Sequence, residues 1–392
     1  MDFRFTQEQE EWRSEVRTSI ESLMTDALRE EMEGRPDLGP GPEQKRFMRE
    51  IGKKGLLGIS WPSEYGGLGR SLMDQYIFSE EIGRAGSPYT NSTAVTMVGP
   101  TIMRAGTEEQ KEEWLPKMLN GDVECALGYT EPDAGTDLAG LGTKAVEDGD
   151  DFVVNGTKIW TSSAHRADHI MVLTRTDPDA PKHRGISFLL CDMNTPGITV
   201  NPIINMADDH GFNMVTFEDV RIPKKNLVGE QNRGWYVGAT LLDFERSGVD
   251  YSAGAKRTLE ELVDFAKNNK KNGTLIADDP VMRNRFADLA IEVEVSKLIS
   301  YNIAWMQSQG LVPNKEASMG KVLGTELQQH VSYTGMQMLG MHGQLGPGSS
   351  HAPLKGRIEH MYLTDVSQTI QAGTSEINRN IIATRGLGLP RG

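Results

Sequence analysis

The order of periodicity along this 392-residue chain is helix, then sheet, then helix, which predicts an α+β fold with a central β domain between two helical regions. Three observations predict it. Residues 1 to about 121 place apolar side chains at helical spacing, residues from about 122 to 233 form runs rich in β-branched residues bounded by turn residues, and helical spacing returns from Gly234. The expected domains are an N-terminal α-helical domain over 1–121, a β-barrel-like domain over 122–233 and a C-terminal α-helical bundle over 234–392.

Each region carries its own local signals. At the start, Thr6 and Gln9 have capping-box spacing, and Trp12, Val16, Ile20 and Leu23 share one helical face. A Gly- and Pro-rich interruption, GISWPSEYGGLGRS at 58–71, separates the early helices from the later ones. In the middle region DFVVNGTKIWTS holds Asn155-Gly156 between two β-rich runs, which predicts a type I′ hairpin there, and HIMVLTRT, GISFLLCD and NMVTFEDVRIP read as further strands. In the last region WYVGATLLDFERSGVDYSAGAKRTLEELVDFAKN and NRFADLAIEVEVSKLISYNIAWMQ have few breakers until Gly273 and Pro313.

Composition excludes several function classes. Lys and Arg number 41 against 55 Asp and Glu, and the net charge of −14 argues against nucleic acid as a partner. The two cysteines, Cys125 and Cys191, have no CxxC spacing, which points to a reducing compartment. The amino-terminal MDFRFTQEQEEWRSEV lacks the apolar core of a signal peptide, and no run reaches the ~18 apolar residues a membrane helix needs, so a cytoplasmic location without membrane insertion is expected. GQLGPG at 343–348 and GGLG at 66–69 lack the strand before and helix after that a dinucleotide fingerprint needs, and both read as loops. His165 and His169 fall beside a predicted strand without the glutamate of a zinc-protease motif; they read as exposed turn histidines, and no metal site is expected.

Five stretches read together are more specific. GTEEQKEEWLPKMLNGD (106–122), GYTEPDAGTDLAG (128–140), VVNGTKIWTSSAHRAD (153–168), FEDVRIPKKNLVGE (217–230) and QAGTSEINR (371–379) resemble, in order, segments of the acyl-CoA dehydrogenase family. The resemblance implies FAD as cofactor and the oxidation of an acyl-CoA thioester to a 2,3-enoyl-CoA, with electron-transfer flavoprotein as acceptor. A carboxylate removes the α-proton and the β-hydrogen leaves as hydride, in a pocket dry enough to strengthen the contacts that acidify the α-carbon. It implies that Thr130 and nearby backbone bond the polar edge of the flavin, that Trp160 packs on it, and that Ser162, Gly135, Thr136, Gln337, Thr374 and Glu376 are further cofactor residues, with Gly373 near the thioester.

Most members of the family carry the base immediately before Gly-Thr, where this chain has Ala372. The isovaleryl- and long-chain-type enzymes instead carry it on a helix after the β domain, and the matching stretch here is LLDFERSGVD, 241–250. Glu245 lies four residues from both Leu241 and Val249, in line with an apolar stripe, and is by itself either a surface glutamate paired with Arg246 or a buried carboxylate of raised pKa. With alanine at 372, the resemblance implies that Glu245 is the base and that the Ala372 backbone N–H still donates to the thioester oxygen. Asp243 and Arg246 resemble positions that contact coenzyme A. Asn269 stands where the family has an arginine, followed by Phe-Gly, that reaches the pyrophosphate of a neighbouring subunit's FAD. Lys270 or Lys271 can substitute as point charges, or an unlike partner chain can supply the half-site, as in the heterotetrameric steroid side-chain acyl-CoA dehydrogenases that GYTEPDAGTDLA resembles. The assembly is thus a homo- or heterotetramer. The other readings are a non-catalytic partner subunit and an acyl-CoA oxidase.

Overall fold

The computed structural model describes residues 4–34, 41–88, 93–241 and 248–390. They fall into two compact units: one built from 1–34, 71–88 and 246–392, the other from 35–70 and 89–245. The fold is α+β, with helices at both ends of the chain and a sheet in the middle, as its periodicity predicts.

The first unit is helical. It contains α1 (Gln7–Leu23), α2 (Asp26–Gly34), α4 (Leu72–Ala85), α8 (Val249–Asn268), α9 (Pro280–Ser308), α10 (Asn314–Leu339), α11 (Arg357–Thr364) and α12 (Ser375–Ile381), the intervening numbers belonging to the other unit. The predicted capping box starts α1: Gln9 N donates to Thr6 Oγ1 at 3.2 Å and Thr6 N to Gln9 Oε1 at 2.9 Å. Trp12, Val16 and Ile20 are buried as expected, but Leu23 is only half-buried and Met24 takes the inward place. Glu81 of α4 is buried under the guanidiniums of Arg13, Arg17 and Arg84. Burial alone would raise its pKa, but the three donors hold it down at about 2. Glycine lets α4 and α8 approach closely: a Cβ on Gly83 would stand 2.6 Å from that of Ala253. The core runs from Leu259, Leu262 and Ala266 through Leu289 and Val293 to Leu327, Val331 and Ile358. Between α8 and α9 the stretch Lys270–Leu275 forms a two-stranded hairpin, β9 (Lys270–Lys271) with β10 (Thr274–Leu275), turning at Asn272 and Gly273, which have φ of 54° and 84°.

The second unit holds α3 (Pro42–Lys53), α5 (Gly99–Ala105), α6 (Glu108–Leu119), α7 (Gly234–Leu241) and an eight-stranded sheet. Its strands are β1 (Cys125–Gly128), β2 (Lys144–Asp148), β3 (Asp151–Ser162), β4 (His169–Arg175), β5 (Ile186–Asp192), β6 (Ile198–Ile203), β7 (Phe212–Pro223) and β8 (Leu227–Val228). The order is β6-β7-β3-β2-β4-β5-β8, with β1 parallel to β4. Phe152, Val154, Ile170, Val172, Leu189, Val215 and Phe217 form its core. Gln110 of α6 spans to the sheet, donating to the carbonyls of Lys225 at 2.7 Å and Leu227 at 2.9 Å.

The hairpin does not form at Asn155-Gly156, because β3 runs through both residues. The turn lies at Gly149-Asp150, where Asp148 pairs with Asp151 and Gly149 has φ of 60°. Asn155 is tied instead to β7, donating to Asp219 Oδ1 and accepting from Asp219 N. Gly156 is needed for space: a Cβ there would stand 2.7 Å from Thr143 Cα. Asn-Gly thus marks a bulge, at the register shift between Val154 and Gly156.

Candidate active site

On the β unit, the residues expected at the flavin gather where the segment after β1 meets the end of β3. Ile159 N donates to Thr130 O at 2.9 Å, joining the two. A tight turn follows, with Glu131 and Ala134 exchanging backbone hydrogen bonds at 3.1 Å. Beyond it Gly135 and Thr136 are exposed, and a Cβ on Gly135 would meet no heavy atom within 4 Å, so nothing in the fold itself requires glycine there. Open space on that side suits a ligand that approaches the main chain.

Trp160 is aimed outward by the backbone. A second register shift falls between Lys158 and Thr161, and within it Trp160 has φ of 59°, a costly conformation for a bulky residue. Trp160 is 55% exposed, and its ring faces Phe212 edge-on with centroids 6.2 Å apart. Ser162, two residues on, is also exposed. Neither the Trp160 indole N–H nor the Ser162 hydroxyl makes a hydrogen bond among the described residues. An exposed aromatic face next to free polar groups and an open main-chain turn fits a flat, polar-edged ring.

Beneath this surface lies a pair the sequence reading missed. Lys158, fully buried, donates to Glu131 Oε1 at 2.8 Å and to Tyr129 O at 3.1 Å. Burial pushes the Lys158 ammonium down to about 8 against the attraction of Glu131. Glu131, which burial would raise, is held below the usual carboxylate range by Lys158 and by the N–H groups of Thr143 and Gly142. The pair ties the Thr130 turn to β3. Its signal was present: Lys158 stands an even number of places from inward-facing Val154, which puts a charge on the core face of a strand.

On the helical unit, the second group surrounds the start of α12. Thr374 is the N-cap, its hydroxyl accepting from Ile377 N at 3.2 Å. Asn378 Nδ2 donates back to Gly373 O at 2.8 Å and Thr374 O at 3.0 Å, fixing the turn from inside. Ala372 and Gly373 both have left-handed φ, 51° and 89°, and both are exposed. The backbone N–H groups of Ala372, Gly373 and Thr374 meet no acceptor among the described residues. Glu376 is exposed in the first turn of α12, and its own backbone N–H with the Thr374 hydroxyl holds its pKa below the usual range. Gln337 is exposed on α10. Glu245, Asp243 and Arg246 lie outside the described residues.

One of the two histidine expectations needs correction. His169 is no exposed turn residue: it begins β4, is half-buried and meets Trp114 edge-on at 4.5 Å. His165 is an exposed turn residue as expected, and it stacks on His210 with ring centroids 4.0 Å apart. Among the described residues no helix is long and apolar enough to cross a membrane.

Profiles of three domains match the chain in order: the N-terminal domain of acyl-CoA dehydrogenase over 6–122, the middle domain over 126–220 and the C-terminal domain over 232–387. The acyl-CoA dehydrogenase FadE26 of Mycobacterium tuberculosis is 40% identical, the alignment covering 100% of this chain and 99% of that protein. Among solved structures, the ChsE4-ChsE5 complex from Mycobacterium tuberculosis superposes with a TM-score of 0.90 at 39% identity, covering 100% of both chains. The Tcur3481-Tcur3483 steroid acyl-CoA dehydrogenase does so with a TM-score of 0.90 at 37% identity, again over 100% of both chains. The chain therefore belongs to the acyl-CoA dehydrogenase family of flavin-dependent enzymes.

Proposed function

We propose that the protein removes the α and β hydrogens of an acyl-CoA thioester to give a trans-2-enoyl-CoA, with FAD as cofactor and Glu245 as the α-proton base. The observation that carries the reading is the turn at Ala372-Gly373, which offers uncommitted N–H groups and no carboxylate. A thioester oxygen seated on the Ala372 N–H gains stabilisation as negative charge develops on it, which acidifies the α-carbon. Bound FAD supplies the acceptor for the β-hydride. Trp160 and Ser162 orient the ring, and Thr130, Gly135 and Thr136 bind it from the β unit. Gln337, Thr374 and Glu376 are further cofactor residues, Gly373 lies at the thioester, and Asp243 and Arg246 hold coenzyme A.

The base must come from outside the Gly-Thr turn. Glu376 is a poor candidate, since its depressed pKa makes its carboxylate a weak acceptor of protons. Glu245 has the residue type and the chain position. The test is Glu245→Gln in the flavin-loaded protein, mixed with a panel of acyl-CoAs. Flavin and ligand binding are expected to persist while flavin bleaching slows by at least ~10²- to 10⁴-fold. Full-rate bleaching sinks the assignment and sends the search to Asp243 or Asp250. Absence of bleaching in the native protein, with flavin bound, favours the non-catalytic partner subunit.

A heterotetramer with a steroid-type acyl-CoA as substrate is the assembly and substrate reading supported best. Asn269 spends its amide on Phe265 O at 2.9 Å, and the stretch after it is the β9–β10 hairpin rather than an arginine-bearing loop. On α9 the exposed Ile291, Val295, Leu298 and Trp305 recur at helical spacing, an apolar stripe that suits a subunit contact. Both solved relatives, ChsE4-ChsE5 and Tcur3481-Tcur3483, are named for two chains, and the second is named as a steroid enzyme. Electron-transfer flavoprotein is the proposed acceptor and the cytoplasm the proposed location. We assign the three functional domains to 1–121, 122–233 and 234–392.

A further inference from the structure

The end of β3 is held by a relay of three side chains, all in the β unit. Asn213 of β7, 0% exposed, donates through Nδ2 to Thr161 O at 3.1 Å, which fixes the amide, because a carbonyl can only accept. The second hydrogen on Nδ2 then faces His165 Nδ1 at 3.1 Å, so that nitrogen must be unprotonated. Asn213 Oδ1 faces His210 Nε2 at 2.8 Å, so that nitrogen must carry a proton. The two imidazoles stack, 4.0 Å apart and tilted by 24°. Thr161, the residue the relay grips, stands between Trp160 and Ser162, and Ser163 N donates to Gly211 O at 3.0 Å just beyond.

We propose that the His165–Asn213–His210 relay is a positioning device that holds the Trp160–Ser162 edge ready for the cofactor and that releases it when His165 takes a proton on Nδ1. This rests on the cofactor reading above. The polarity of the relay gives the two histidines different tolerances. A proton on His210 Nδ1 leaves its Nε2–H bonded to Asn213 and sets a cation against a neutral imidazole face. A proton on His165 Nδ1 points a donor at a donor and breaks the grip on Asn213. Burial first, then His210 and Arg166, push the His165 pKa down and outweigh the opposing pull of the Asn213 contact, in keeping with a neutral ring. The charged groups around the relay are few. Arg166 pairs with Glu124 at 3.5 Å, Asp209 accepts from Asn205 at 3.2 Å, Asp192 accepts from Asn194, and Asp208 is exposed beside Asp209. His165, Asn213 and His210 line a cavity of about 320 Å³ together with Met193, Val200 and Pro202. Because the folded pKa of His165 is depressed, the contribution of the relay is complete above the unfolded value of about 6.5 and is lost as pH falls through the folded value.

The experiment combines imidazole NMR of the apoprotein with FAD affinity and Trp160 emission between pH 5.5 and 8, the emission taken as the difference from Trp160→Phe. The expected tautomers are Nε2–H on both neutral histidines. Native protein should weaken its FAD binding and shift its Trp160 emission as the His165 resonance titrates. His165→Ala should weaken FAD about tenfold at pH 7.5, the size of one hydrogen bond. His165→Asn offers an acceptor that does not titrate, and should restore FAD affinity with no acid transition. An unaltered affinity and emission in His165→Ala, or an Nδ1–H tautomer on His165, overturns the relay. Failure to bind FAD at any pH, both alone and co-expressed with an unlike family member bearing Arg-Phe-Gly, overturns the cofactor reading, and the relay's role with it.

Discussion

At the scale of single residues, alanine at 372 is informative through its backbone. An L-residue with a φ of 51° costs roughly 1–2 kcal/mol, and glycine follows it at 89°. Backbone strain of this kind clusters at functional sites, in keeping with the proposed role of the neighbouring free N–H groups as donors to a developing oxyanion. Ala372→Gly removes the Cβ penalty but frees the unfolded chain, so a net gain of about 0.5–1 kcal/mol is expected, measured as a higher midpoint in chemical denaturation. No gain would mean that neighbours relieve the strain. Residue-level legibility was uneven for physical reasons. The Thr6–Gln9 box was readable because its partners are three places apart. Asn213 was not, because its partners at 161, 165 and 210 come together only once β3 and β7 pair.

At the scale of elements, β3 shows how far periodicity reaches. Its ends and its inward residues follow from alternation, yet its two irregularities, at Gly156 and Trp160, do not. The first was misread as a turn, since Asn-Gly favours left-handed backbone in hairpins and bulges alike. The short turn over 365–369 is the counterpart on the helical unit. Gln329 of α10 holds it, donating to Asp365 O at 3.1 Å and Thr369 Oγ1 at 3.3 Å. Asp365 is buried with Oδ2 unpartnered, and burial raises its pKa to about 6. A folded value above the unfolded one means that the group's favourable contribution is full below about 3.9 and is lost as pH rises through about 6. Asp365→Asn is therefore expected to stabilise the protein at pH 8 by roughly 2–3 kcal/mol and to change little at pH 4, as read by denaturant midpoints at both values. A penalty at pH 8 would show that the carboxylate is paired there.

At the scale of the whole molecule, the sequence was legible as three blocks of periodicity, and domain profiles match in the same order. Subunit number is a property of surfaces, and the apolar stripe on α9 was hidden in sequence because a face meant for a partner has the same composition as a face meant for the core. Asn269 is turned back on its own helix; if it stands at the pyrophosphate half-site as proposed, a like-with-like assembly would lack charge-assisted hydrogen bonds of roughly 1.5–3 kcal/mol each there. Expressed alone, the protein is expected to lose FAD on dilution, and co-expression with an unlike family member bearing Arg-Phe-Gly should raise the flavin-to-protein ratio. A homotetramer with one tightly held FAD per chain would contradict this and assign the pyrophosphate to Lys270 or Lys271. The turn before α12 has a last consequence, for inheritance. If the turn seats the thioester as proposed, that role is vested in main-chain N–H groups and survives almost any change of side chain, so a lineage could move its base to another helix with the seat intact at every intermediate step.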